Sequence, residues 1–141
     1  MINLERDRAF YNFLGEFAFN QLSDQEYENF DLVRIELTVQ PGAYGFSGHF
    51  IVDGAKFNLD RENPRSVIQE LKSFHFESTE DGSSKWNKLV FSLSQDKKFS
   101  SELIWDEVRQ VEVDKYNDEA EKNNPSYKRP KWPWEITRTL L

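Results

Sequence analysis

Any chemistry this chain performs has to be built from carboxylates, hydroxyls and two histidines, because it contains no cysteine. Thiolate catalysis, thiolate metal sites and disulfides are thereby excluded. His49 and His75 would have to supply the base of any triad, and no G-x-S-x-G turn presents a serine to either. His49 stands among glycines in a predicted strand, and His75 ends an apolar helix face. In such settings a histidine is more often packed than reactive. No H-x-x-x-H spacing and no D-x-D-x-D-G loop is present, and His75-Phe76-Glu77 brings two potential ligands together without a third. Gly42, Gly45, Gly48 and Gly54 match neither G-x-G-x-x-G nor the Walker loop. A two-metal nuclease needs clustered acids with a lysine close by. Asp96-Lys97-Lys98 has an acid beside lysines, but at a predicted hairpin tip. Glu70-Leu71-Lys72 has the same spacing on a helix, where positions i and i+2 diverge. No metal, cofactor or catalytic residue is expected.

What remains is charge. The 25 acids outnumber the 18 bases, a net of −7, so phosphate backbones should be repelled and a basic partner attracted. The excess is concentrated. Between Glu102 and Glu121 lie Glu102, Asp106, Glu107, Glu112, Asp114, Asp118, Glu119 and Glu121, against Arg109 and Lys115 alone. From Lys122 onward the sign reverses, with Lys122, Lys128, Arg129, Lys131 and Arg138 against Glu135. An acidic run can be a solvated edge that discourages aggregation. It can also steer a cationic surface and fix its register.

The elements that position this run read as follows. Asn3 is a candidate cap for a helix over roughly 4–20, with Phe10, Phe13, Leu14 and Phe17 on one face. An acidic connection or short turn over 23–31 follows. Val33, Ile35, Leu37 and Val39 alternate with polar residues in a strand over 32–40, and Pro41-Gly42 has type II turn chemistry. Tyr44, Phe46, Phe50 and Val52 share one side of a second strand, which Gly45 and Gly48 should weaken or bulge. Asp53-Gly54 turns into a third strand carrying Ala55, Phe57 and Leu59. Asn63 and Pro64 then open a helix of about three turns with Val67, Ile68, Leu71, Phe74 and His75 inward. After a polar loop over 77–85, Leu89, Phe91 and Leu93 lead through Gln95-Asp96-Lys97 to Phe99, Leu103 and Trp105. Residues 107–122 fit neither period and could form an edge strand, a short helix or a loop. Pro133 opens a last helix with Trp134, Ile136, Leu140 and Leu141.

The order predicts an α+β fold: one domain over 1–141, an antiparallel sheet made of a three-strand meander plus a hairpin, and helices packed on one face. Phe91, Leu93, Phe99 and Trp105 are assigned to the core. No stretch approaches the ~18–20 apolar residues that span a bilayer. The first residues lack a secretory pattern, so a cytoplasmic location is expected.

The run from Trp86 through Leu89-Val90-Phe91 and Asp96 to Phe99, followed by Ile104-Trp105-Asp106-Glu107, resembles the second hairpin of the YezG-like immunity family. The order helix, three strands, helix, two strands is similar too, as is a closing segment with Pro125, Pro130, Trp132 and Trp134. That family has glycine after the turn acid, where this chain has Lys97, and a less basic tail than residues 128–131. The resemblance implies an antitoxin of a bacterial polymorphic or contact-dependent toxin system. Its partner would be a cognate toxin domain with a basic surface, often a nuclease, and it would act as a monomer or weak dimer when free. Asp106, Glu107, Glu112, Asp114, Asp118, Glu119 and Glu121 are the expected contact residues, with Trp86 and Trp132 as apolar anchors. The rival readings are a metal-dependent nuclease and a structural adaptor.

Overall fold

The computed structural model describes residues 4–24, 29–59 and 65–140, so the expected caps Asn3, Asn63 and Pro64, part of the 23–31 connection, and Leu141 lie outside it. Of residues 137–140 only the backbone is described, so Leu140 cannot be placed in or out of the core. The order is α1 (Leu4–Asp24), β1 (Leu32–Gln40), β2 (Ala43–Val52), β3 (Ala55–Asn58), α2 (Arg65–Thr79), β4 (Lys88–Ser94), β5 (Phe99–Ile104), α3 (Glu107–Asn123) and α4 (Pro133–Leu140). This is the α+β class that the alternation of periods predicts.

The five strands are antiparallel in the order β3-β2-β1-β4-β5. The first three pair in sequence, but the β4–β5 hairpin does not continue past β3. It docks on the other side of β1, so the sheet is not one continuous meander. β1 thus becomes the central strand, and its alternation is the cleanest in the chain: Val33, Ile35, Leu37 and Val39 are all buried. Opposite that face, Arg34 holds Glu36 at 3.1 Å and Lys88 reaches the same carboxylate at 3.9 Å. The two sides of one strand are apolar and ionic, as period two requires.

α1 and α2 cover the apolar side. Phe10 and Phe74 stack across the two helices at 4.3 Å, Phe17 meets Phe46 edge-on at 5.5 Å, and Tyr11 reaches Phe91 and Phe99. The β1–β2 register runs unbroken through Gly45 and Gly48, so neither marks a bulge. Space explains them instead. A Cβ at Gly48 would strike the buried Leu59 side chain and come within 3.0 Å of the Arg34 carbonyl, and one at Gly45 would strike Thr38.

Three expectations need correction. α2 runs to Thr79, so the polar loop begins at Glu80 rather than at residue 77. Phe99 is 46% exposed, because it opens the edge strand β5, with Tyr11 and Phe91 on its inner side and no further strand beyond it among the described residues. Trp105, just past β5, is 36% exposed because it lies beyond the end of the sheet, one side against Trp132 and Trp134 and the rest in solvent. Phe91 and Leu93, on the inner neighbour β4, are buried as predicted.

Candidate functional site

Residues 107–123, which fit neither period, form α3. The absence of an apolar stripe is real: Asn117 is its only buried residue. A helix that is polar all round draws no support from core packing and must be held by specific contacts. At its start, Asp106 is the N-cap, its side chain accepting from the Arg109 backbone N–H at 3.1 Å. Asp106 is itself fixed by Asn87, which is fully buried: Asn87 Nδ2 donates to the Asp106 carbonyl at 3.0 Å, and the Asp106 N–H donates to Asn87 Oδ1 at 2.6 Å.

The other end is strapped by the tail. Tyr127 donates its hydroxyl to Asn117 Oδ1 at 2.9 Å, and Arg129 donates through Nε to Glu121 at 3.1 Å and through a terminal nitrogen to Asp118. The basic tail therefore binds the acidic run within the same molecule. Beyond Arg129, Trp132 and Trp134 stack at 4.8 Å and 9°, Trp105 lies against both, and His75 links Trp132 to Trp86. Pro133 opens α4, and Glu135 reaches back to accept from the Trp132 N–H at 3.0 Å.

The helix divides the expected contact residues between two faces. Glu107, Asp114, Asp118 and Glu121, spaced by seven, four and three residues, share one flank. Glu112 and Glu119 lie on the outer face, opposite Asn117, where Lys115 and Lys122 balance them. Asp106 is half-buried and spent on capping. The negative flank overhangs a cleft of about 440 Å³ whose walls include Lys85, Trp105, Glu107, Asp114, Arg129 and Glu135. Some of its carboxylates are engaged: Glu107 accepts from Trp105 Nε1 at 2.7 Å and Asp114 from Gln110 at 3.0 Å.

Trp86 and Trp132 do not serve as surface anchors, being 1% and 7% exposed; Trp86 donates to Ser78 Oγ at 3.1 Å inside the core. The exposed apolar residues of this region are others. Val108 (74%), Val111 (55%) and Tyr116 (70%) stand out on α3, and sequence reasoning missed them because residues 107–122 could not be assigned a period. Had Asp106 been read as a cap, their position outside a polar helix would have followed.

His75 is a packed residue: buried, with Nε2 donating to the Trp86 carbonyl at 2.9 Å, its pKa lowered to about 4 chiefly by burial. His49 is lowered by burial and then by Lys56 and Arg34. Asp96 pairs with Lys98 at 3.8 Å on an exposed turn. Among the described residues no three or more His, Cys, Asp or Glu are placed to share a metal ion, and no helix is long and apolar enough to cross a membrane. No protein-family model matches the chain, and no curated protein matches it significantly.

Proposed function

We propose that this protein is an immunity protein, which binds a cognate toxin domain bearing a basic surface and docks it on the negative flank of α3. The observation that carries the reading is that α3 adds nothing to the core except Asn117 and is nevertheless fixed at both ends by hydrogen bonds and ion pairs. A surface element that is rigidly held but contributes little to the core can present its side chains to a partner. Glu107, Asp114, Asp118 and Glu121 carry four negative charges on that flank, two of them paired with Arg129, and such a flank can steer a cationic surface and raise its rate of encounter. Trp105, half in the cleft and half in solvent, is the apolar contact that such an interface uses at its centre. The hairpin's likeness to the YezG-like family and the net charge of −7 agree with this assignment.

The test pairs this protein with a toxin domain sought in the reading frames beside its own. Co-expression is expected to rescue growth, and Glu107→Lys with Asp114→Lys is expected to slow association about tenfold or more at low salt with the circular dichroism unchanged. Glu112→Lys with Glu119→Lys, on the charge-balanced outer face, should slow it far less. Equal effects from the two pairs would remove the flank from the mechanism, and failure of the native protein to bind or protect would end the reading.

A further inference from the structure

A second cavity, of about 400 Å³, opens on the other side of Trp132, between the β1–β2 turn, the last turns of α2 and the start of α4. Its walls are mainly apolar, from Val39, Tyr44, Phe76, Trp132, Pro133 and Ile136. Phe76 and Ile136, 43% and 42% exposed, stand together on its rim and offer apolar surface that a ligand's body would cover. The volume is that of a small-molecule pocket, and the walls have the usual composition: apolar surface with a few polar groups.

The polar groups choose the ligand. Lys72 and Lys131 line the cavity, and neither takes part in an ion pair among the described residues. Among the described residues Glu77 is the one acid in the lining, and the buried His75 is neutral at pH 7, so the described lining carries a net charge of +1. An ammonium ligand would meet two lysines, a neutral one would gain nothing from these exposed cations, and a carboxylate would gain modestly from both. We infer that this cavity binds a small amphipathic carboxylate, its apolar body against Phe76, Trp132 and Ile136 and its carboxylate between Lys72 and Lys131. This site is distinct from the flank of α3, with which it shares only the Trp132–Pro41 wall.

The experiment compares three probes with the same chain, decanoate, decanol and decylammonium, by calorimetry and by the emission of the tryptophans, of which Trp132 forms the wall. Decanoate is expected to bind saturably and tightest, with decylammonium weakest. Lys72→Glu with Lys131→Glu should weaken decanoate about fivefold, the size of two exposed ion pairs, while leaving decanol unchanged. Ile136→Glu, which places a carboxylate on the rim, should weaken decanoate and not decylammonium. The inference is overturned if decanoate shows no saturable binding, if decylammonium binds as well, or if the lysine reversals leave decanoate affinity as it was. Because Lys72 and Lys131 line this cavity and not the cleft beside α3, the ligand measurements are independent of toxin binding.

Discussion

Asn87 and Asp106, nineteen residues apart, exchange two hydrogen bonds, amide to carbonyl at 3.0 Å and backbone N–H to side-chain oxygen at 2.6 Å. Asn87 also donates its backbone N–H to Ile104 and accepts from Val39, so one buried residue ties the edge of β1, the end of β5 and the start of α3 together. Asn87→Ala strands both Asp106 groups, and a loss of about 2–3 kcal/mol is expected in urea denaturation. Hydrogen exchange should show α3 opening before the sheet. A uniform loss across both would mean that the pair does not act as the anchor of α3.

Asp106→Ala removes the cap without touching the core. The cost should be about 1 kcal/mol, and Asp106→Ser should recover most of it. A contact residue would behave differently, since Asp106→Ser would then impair toxin binding as severely as Asp106→Ala.

Burial holds His75 neutral, with a pKa of about 4 against about 6.5 when unfolded. Below pH 6.5 the unfolded chain takes up a proton that the folded one refuses, so this contribution is full above pH 6.5. It is lost as pH falls toward 4, by about 3 kcal/mol in total. His75→Gln keeps a donor for the Trp86 carbonyl but cannot titrate. The difference between native protein and variant, followed by urea denaturation from pH 7 to 4, isolates the histidine from the carboxylates. A constant difference would place His75 in contact with water.

Lys97, at the β4–β5 turn, has a φ of +67°, a left-handed conformation that costs an L-residue roughly 1 kcal/mol. Lys97→Gly is expected to raise stability by about 0.5 kcal/mol after the extra freedom of the unfolded chain is counted. A loss of stability would show that the lysine side chain makes a compensating contact.

The parts of the fold legible in the sequence are those whose cause is local. Val33, Ile35, Leu37 and Val39 announce β1 because alternate side chains face one helical layer. Pro41-Gly42 announces its turn because Gly42 supplies the positive φ of +79°. α3 was illegible because its supports, Asn87, Tyr127 and Arg129, are remote and its own composition carries no stripe. The same gap hid the site. A run of acids in sequence looks like one surface, but the 3.6-residue period sends Glu112 and Glu119 one way and Asp114, Asp118 and Glu121 another. Aromatic identity does not report depth either: Trp86 and Trp105 flank the same hairpin, one buried and one exposed, because Trp86 packs under Phe74 and His75 of α2 whereas Trp105 lies against Trp132 and Trp134 at the surface.

Arg129 gives the sharpest test of the proposed docking surface, because among the described residues it alone pairs with two acids of the flank. Its presence lowers the negative potential that a cationic partner would meet. Arg129→Ala frees Asp118 and Glu121 from their ion pairs and makes the flank more negative, so association with the toxin domain should quicken severalfold at low salt. The gain should vanish near 1 M salt, where the Debye length falls to about 3 Å. The core does not depend on the pair, and the circular dichroism should change only by fraying at the end of α3. Slower association in the variant would mean that Arg129 orders the flank more than it masks it. An unchanged rate at every salt concentration would mean that the partner docks elsewhere.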